Sequence, residues 1–283
     1  MISINTNYGG LFASKAASQS QRTLDTAMER LSTGMRINYA KDDSAGQAIS
    51  TRLTAEIEGI AMASRNAADA QSMIDTAEGA LQETHNLLLR MRELAVQASN
   101  GTLNSDDNAA LDAEFQQLEA EIDRINDNTK WAGIELFTGT AKTFHIGTKA
   151  ADTLQHTIGE MKPNGTGGII AQIDTTGNGT ADADPDLLSA TKAQASITVL
   201  DDAIKKVSEE RGKLGAVSNR LTSTIANLDQ VAVNLSASQG RIQDADFAAE
   251  TANLAKGQIL QQAATAMLAQ ANASKQNVLA LVR

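Results

Sequence analysis

From Ser44 onward apolar residues return every seven positions: Leu53, Ile60, Ala67, Ile74, Leu81, Leu88 and Ala95. Ala63, Ala70, Ala77, Met91 and Ala98 each follow a member of that row by three. A 3–4 alternation keeps one stripe on one face of a helix, with large and small residues interleaved. Ser44-Ala45-Gly46-Gln47 has the form of a capping box, and Ser99-Asn100-Gly101 breaks the run. The pattern predicts a single helix over 44–99, roughly 80 Å long at about 1.5 Å per residue. A helix of that length cannot bury itself in a compact domain, so it needs long partners alongside.

A second helix is predicted where Leu111, Phe115, Leu118, Ile122 and Ile125 step 4-3-4-3 before Asn126-Asp127-Asn128. A third, long helix is predicted to begin at Asp184-Pro185-Asp186, with Asp184 as cap and Pro185 in the first turn. Its stripe runs through Leu200, Ile204, Val207, Leu214, Leu221, Ile225, Leu228 and Leu235, and Arg211 and Ser218 interrupt it. Leu187, near its start, is expected to matter less than Leu81 or Leu221. Between these helices 143–147 and 154–158 read as short strands, with 134–137 as a third. Residues 162–183 are rich in Gly, Thr, Asp and Asn and read as a solvent-facing loop that should accept insertion or deletion. The fold class is therefore mainly α: long heptad-patterned helices in a bundle or coiled coil, a small β-hairpin region and a short solvent-facing insert.

The two ends carry thinner stripes. Leu24, Met28, Leu31 and Met35 form one, and Leu260, Ala264, Met267, Ala271, Val278 and Leu281 form the other. Either alone buries too little apolar area to offset its ordering entropy. Both ends are expected to be disordered in a lone chain and helical only against other copies, which makes these ten residues the expected polymerisation interface.

Composition narrows the class further. Aromatics are 3% of the 283 residues, with one Trp and two Tyr, which disfavours an α/β enzyme or a β-sandwich. There is no Cys, so disulfides, thiolate nucleophiles and thiolate metal sites are excluded. Residues 1–43 and 240–283 are each net +1, and 44–239 are net −12. That balance lacks the basic stripe nucleic-acid binding needs, and suits ends that associate around a solvated acidic body. No apolar run reaches about 18 residues, so no membrane insertion is expected. Met1-Ile2-Ser3-Ile4-Asn5-Thr6-Asn7 lacks the basic and apolar regions of a secretory signal.

Candidate chemistry is sparse. His85, His145 and His156 are the only histidines, and surface or interface roles are expected for them. His145 and His156 could hold a metal only if they shared one sheet face. There is no HExxH, Walker loop or GxSxG. Asp42 and Asp43 are adjacent and read as stabilising a helix start, not as a catalytic pair. Residues 174–184 echo a calcium loop, but position three is Thr and position twelve is Pro185, so an acidic turn is expected. Asn164-Gly165-Thr166 and Asn178-Gly179-Thr180 match the glycosylation sequon. No catalytic, cofactor-binding or metal residues are assigned, and no enzyme activity or cofactor is expected.

Several boxes, in order along the chain, resemble bacterial flagellin. They are Ser3-Ile4-Asn5-Thr6-Asn7, Arg30-Leu31-Ser32-Thr33-Gly34-Met35-Arg36-Ile37-Asn38, and Ala40-Lys41-Asp42-Asp43-Ser44-Ala45-Gly46-Gln47-Ala48-Ile49. Arg90-Met91-Arg92-Glu93-Leu94-Ala95-Val96-Gln97 continues the series. Near the end, Arg241-Ile242-Gln243-Asp244-Ala245-Asp246-Phe247-Ala248 and Gln276-Asn277-Val278-Leu279-Ala280-Leu281-Val282-Arg283 complete it. The likeness spans about 1–147 and 187–283, and the middle is short.

The resemblance implies a structural subunit that self-assembles into the extracellular flagellar filament and is exported without a cleaved signal peptide. It implies inner coiled-coil segments at 1–43 and 240–283, wall segments at 44–147 and 187–239, and a variable outer insert at 148–186. Implied partners are copies of itself, the export apparatus, an export chaperone, the filament cap and hook-junction proteins. An animal Toll-like flagellin receptor is a further implied partner. Arg90, Leu94 and Glu114 match family positions for that receptor, and the alternative role for them is subunit packing, with Leu94 in a neighbour's groove and Arg90 on a neighbour's acid. Rival readings are a hook–filament junction protein and a non-polymerising helical adhesin.

Overall fold

The structure is a computed structural model that describes residues 6–161 and 186–281, with side chains described to 274. In chain order the elements are α1 (Tyr8–Thr33), α2 (Ser44–Ala98), α3 (Ser105–Asn128), β1 (Lys130–Trp131), β2 (Ile134–Glu135), β3 (Ala141–His145), β4 (Thr153–Thr157), α4 (Ala190–Gln243) and α5 (Phe247–Leu281). They form two compact units, one from residues 58–232 and one from 1–57 with 233–283.

The 58–232 unit is built on two seven-residue rows. Ile74, Leu81, Leu88 and Ala95 of α2 and Leu200, Val207, Leu214 and Leu221 of α4 are all fully buried in one core. A strict heptad on both helices is the pattern that keeps a long contact in register. The helices run antiparallel: the Gln71 side chain donates to Ser218 Oγ at 3.5 Å, Arg211 pairs with Glu78 at 3.6 Å and Arg92 with Asp201 at 2.6 Å. Arg211 and Ser218, the interruptions in the α4 stripe, are thus where polar links cross to α2.

The helix starts differ from the sequence reading. Asp43 Oδ1 accepts from the Gly46 N–H at 2.9 Å, so Asp43, not Ser44, caps α2. The second helix begins at Ser105, where Asn104 and Asp107 form a reciprocal capping box. The third long helix begins at Ala190, because Ser189 supplies both its carbonyl (Ala193 N–H, 2.9 Å) and its hydroxyl (Lys192 N–H, 3.4 Å) to the first turn. Asp184 and Pro185 lie outside the described residues. Leu187 is not a peripheral helix residue: it is 0% exposed and part of the core.

Two hairpins follow α3. Trp131 pairs with Ile134 across Ala132 and Gly133, whose φ of 49° and 82° make a two-residue turn. The expected third strand at 134–137 is therefore only Ile134–Glu135, paired with β1; Leu136 and Phe137 leave it to enter the core. β3 and β4 are antiparallel, with Phe144 opposite Leu154. The β4 strand alternates, Leu154 buried and His156 half-buried against exposed Thr153, Gln155 and Thr157.

In the other unit α1 and α5 pair antiparallel. Asn7 Nδ2 donates to Asn272 Oδ1 at 3.2 Å, and Gln261 Nε2 to Gln21 Oε1 at 2.6 Å. The facing residues are small: Gly10, Ala13, Ser20 and Ala27 with Leu24 on α1, and Gly257 and Ala264 on α5. A Cβ on Gly257 would sit 3.3 Å from Leu24 Cβ, so glycine sets how closely the helices approach. The expectation that neither end finds a partner within one chain is corrected here: each is the other's partner. Small side chains let the backbones come close, so contact is gained without large residues.

Gly34, at φ 73°, ends α1 in the left-handed conformation. Beyond it the Arg36 N–H donates to the Gln243 carbonyl at 2.7 Å and the Ala245 N–H to the Gly34 carbonyl at 2.9 Å. This two-bond bridge ties the segment after α1 to the segment after α4.

Candidate interaction surfaces

The expected polymerisation residues divide into two groups. Leu24 and Ala264 are buried between α1 and α5, with Leu31 and Ala271 half-buried. Met28, Leu260 and Met267 are not in that contact; they face out, Met267 at 63% exposure, and Met35 lies beyond α1, where its Sδ accepts from Gln243 Nε2 at 2.9 Å. For α1 the contact runs through 10, 13, 20, 24 and 27, so the 24-28-31-35 stripe straddles it. The side chains of Val278 and Leu281 lie outside the described residues. Tyr8, Leu11 and Phe12 on α1 and Ile259 on α5 are also exposed, Phe12 at 78%. Apart from Leu24 and the half-buried Leu31, small side chains fill the contact while most large apolar side chains of this pair point outward, an unusual arrangement for a helix pair built for itself alone.

Arg90, Leu94 and Glu114 are brought together only in part. Arg90 donates to Glu114 Oε1 from Nε at 3.1 Å and from Nη2 at 2.8 Å, joining α2 to α3 across the 99–104 turn. It also reaches Glu93 Oε2 at 3.1 Å. These bonds raise the guanidinium pKa above its ordinary value, Glu114 contributing most. Leu94 is 1% exposed. Its groove is this chain's own core, and the acid that Arg90 pairs with is this chain's own Glu114. The burial of Leu94 corrects its expected place in a neighbour's groove, while the Arg90 side chain stays half exposed. Leu89 and Val96 are the exposed apolar residues of that stretch.

The two strand histidines lie on opposite faces. His156 stands across from Lys142 on the half-buried face shared by Phe144 and Leu154, and His145 is on the exposed face. They cannot share a metal, and no cluster of metal-ligating side chains occurs among the described residues. Burial lowers the His156 pKa from the ordinary 6.5; Glu210 opposes that shift and Lys213 adds to it. His156 Nε2 and Glu210 Oε1 are each buried without a hydrogen-bond partner. Asp42 and Asp43 have separate structural tasks. Asp42 Oδ2 accepts from the Asn38 and Tyr39 N–H groups at 3.2 and 3.0 Å, and Asp43 is the cap. The calcium-like stretch at 174–184 and both sequons lie outside the described residues.

The sequence reading found Phe115 and Ile122 but not the polar residues buried in line with them. The most buried column of α3 is Asn108, Asp112, Phe115, Glu119, Ile122 and Asn126, a 4-3-4-3-4 spacing with four polar members. Leu111, Leu118 and Ile125 flank it half-buried. The spacing was readable, but a stripe sought by hydrophobicity alone passes over it. Asp112 and Asn126 each accept a backbone N–H from outside the helix, Leu187 and Met161 respectively, both at 2.9 Å.

Comparison with known proteins gives consistent matches. The family model described as the bacterial flagellin N-terminal helical region matches residues 4–142, and that for the bacterial flagellin C-terminal helical region matches 197–282. The chain is 46% identical to a flagellin of Halalkalibacterium halodurans over 257 residues, 91% of each chain. It is 39% identical to the flagellar filament 33 kDa core protein of Treponema phagedenis, over 99% of each. Among solved structures, one from Vibrio parahaemolyticus described as a flagellar hook-associated protein superposes with a TM-score of 0.60 at 18% identity. It covers 72% of this chain and 100% of that one, a likeness of fold alone.

Proposed function

The chain belongs to the bacterial flagellin family and is a structural subunit that self-assembles into the flagellar filament outside the cell, and on that premise we propose how its surfaces divide the work. The α1–α5 contact holds one subunit together. The outward apolar set, Tyr8, Leu11, Phe12, Met28, Leu260 and Met267, docks on neighbouring copies, with Met35, engaged by Gln243 beyond α1, at its margin. The observation that carries this is the inverted size pattern: around Leu24 the contact is filled by Gly, Ala and Ser, and most large apolar residues lie outside it. Each large side chain moved from water into a dry contact contributes about 1.5–3 kcal/mol, which several per subunit multiply. Leu24, Leu31, Ala264 and Ala271 support assembly by shaping the pair, and Val278 and Leu281 extend the same helix.

The test is a pair of substitutions. Met267→Asp should leave a folded monomer that does not elongate filaments. Ala264→Asp should instead lower monomer helicity. Elongation by Met267→Asp at the wild-type rate overturns the outward docking surface.

The further partners in this reading follow from family membership. They are the export apparatus and chaperone, which take the subunit out without a cleaved signal peptide, the filament cap, and the hook-junction proteins. Arg90 and Glu114, exposed and paired, form the part of the receptor-matching surface that a Toll-like receptor can touch, and Leu94 supports them from beneath. The subunit carries out no catalysis and needs no cofactor in this reading; its relatives are structural proteins. No described helix is long and apolar enough to cross a membrane.

A further inference from the structure

The methionines within the described residues have sulfurs in three environments. Met73, Met91 and Met161 are buried in the 58–232 core. Met35 and Met62 are 38% and 49% exposed, but a nitrogen donor holds each sulfur. Met35 Sδ accepts from Gln243 Nε2 at 2.9 Å, and Met62 Sδ accepts from Arg65 Nη2 at 2.6 Å. Met28 and Met267 are 54% and 63% exposed, and among the described residues no donor reaches either sulfur. Met28 and Met62 differ little in exposure, so the bond to sulfur is what separates them. The two open sulfurs belong to α1 and α5, in the outward apolar set of that pair.

A thioether is a soft nucleophile through its sulfur lone pairs and a weak hydrogen-bond acceptor through the same pairs. Hydrogen peroxide transfers one oxygen atom to it. The sulfur lone pair attacks a peroxide oxygen, and the S–O bond forms as the O–O bond breaks. The proton on the transferred oxygen passes to the departing hydroxide, which leaves as water. Sulfur is oxidised by two electrons and the peroxide is reduced by two, so no other reagent is needed. A donor on sulfur competes for the attacking lone pair, and burial denies the peroxide access. The sulfoxide replaces a flexible apolar group by a polar, chiral one, which disrupts Met-rich contacts.

We infer, on the docking surface proposed above, that Met28 and Met267 are the peroxide-reactive modification sites of the free subunit, and that their sulfoxides keep it out of the filament. Sulfoxidation puts a strong acceptor where the docking contact must be dry, and an unpaired polar group there is costly. It acts on docking and not on the fold, because both side chains face away from the α1–α5 contact.

Folded full-length monomer treated with dilute hydrogen peroxide, then read by peptide mass spectrometry, tests the sites. Met28 and Met267 should form sulfoxide about threefold or more faster than Met35 and Met62, the effect of one weak hydrogen bond on sulfur. The three core methionines should be slowest. Arg65→Ala should bring Met62 up to the Met28 rate. Monomer oxidised at Met28 and Met267 should keep its helicity. It should elongate filament seeds about tenfold or more slowly than untreated monomer, as when a polar group replaces a buried apolar one. The variant Met28→Leu/Met267→Leu, measured against its own untreated rate, should be slowed far less by the same treatment. Equal oxidation of the four exposed methionines, a Met62 that stays slow in Arg65→Ala, oxidised monomer that unfolds, or oxidised monomer that elongates at the untreated rate would each overturn this assignment. The last result beside a non-elongating Met267→Asp would leave the docking surface standing, whereas elongation by Met267→Asp removes the surface itself. If the double leucine variant does not fold, mass spectrometry and the elongation of oxidised wild-type chain decide.

Discussion

Arg30 and Glu250, 220 positions apart in sequence, meet at 2.9 Å where α1 and α5 pack. The Glu250 side chain is 10% exposed and is also held by Asn253 Nδ2 at 3.2 Å. A pair this sheltered matters most when half of it is removed, because the buried carboxylate then keeps its desolvation cost. Arg30→Ala should lower monomer stability by about 1–3 kcal/mol, and Glu250→Gln, which still hydrogen bonds, by less. Urea unfolding followed by helicity measures both.

Leu187 should behave as a core residue. Leu187→Ala removes most of a fully buried side chain and should cost about 2–5 kcal/mol, in the range of other buried leucines. Leu81→Asp or Leu221→Asp should do worse, since each puts an unpaired charge in the dry α2–α4 contact. Thermal unfolding of the three variants gives the order, and a Leu187→Ala midpoint equal to wild type would remove Leu187 from the core account.

Acid should loosen the β3–β4 hairpin through His156. Burial holds its pKa below 6.5, so the folded chain keeps it neutral after the unfolded chain has taken up a proton. Stability from this group is therefore complete above about pH 6.5 and is lost as pH falls from there toward the folded-state pKa. Urea midpoints at pH 7.5 and 5.5 should differ by less in His156→Leu than in wild type. Equal differences would show that His156 does not carry the acid sensitivity.

Arg90 and Leu94 should separate in their effects. Arg90→Ala removes an exposed ion pair and should reduce receptor signalling by folded monomer while leaving its unfolding midpoint nearly unchanged. Leu94→Ala should first lower stability by about 2–5 kcal/mol, and reduce signalling only as far as folding is lost. Dose–response curves at matched folded concentration distinguish the two.

Much of this architecture was legible in the sequence. The heptads of 53–98 and 200–221 mark a long-helix core because a seven-residue repeat has few other physical uses. The strands at 143–147 and 154–158 were displaced by only two or one residues, since short strands carry weak boundaries. Three features were not legible. Asp43 rather than Ser44 caps α2, a choice set by which carboxylate reaches the Gly46 N–H. The α1–α5 contact is mostly Gly, Ala and Ser around Leu24, so a search for apolar stripes found Leu24 and Ala264 but otherwise selected its outer edge. Asp112 and Asn126 of the α3 column are buried with backbone N–H groups from distant segments bonded to them, which no local pattern reveals.

Assembly by the purified subunit tests the central claim most directly. Full-length chain added to short filament seeds should elongate them into long filaments under the electron microscope. Chain lacking residues 250–283 should stay monomeric and helical, because it lacks both the partner of α1 and the outward apolar residues of α5. Long filaments grown from the truncated chain would contradict the account.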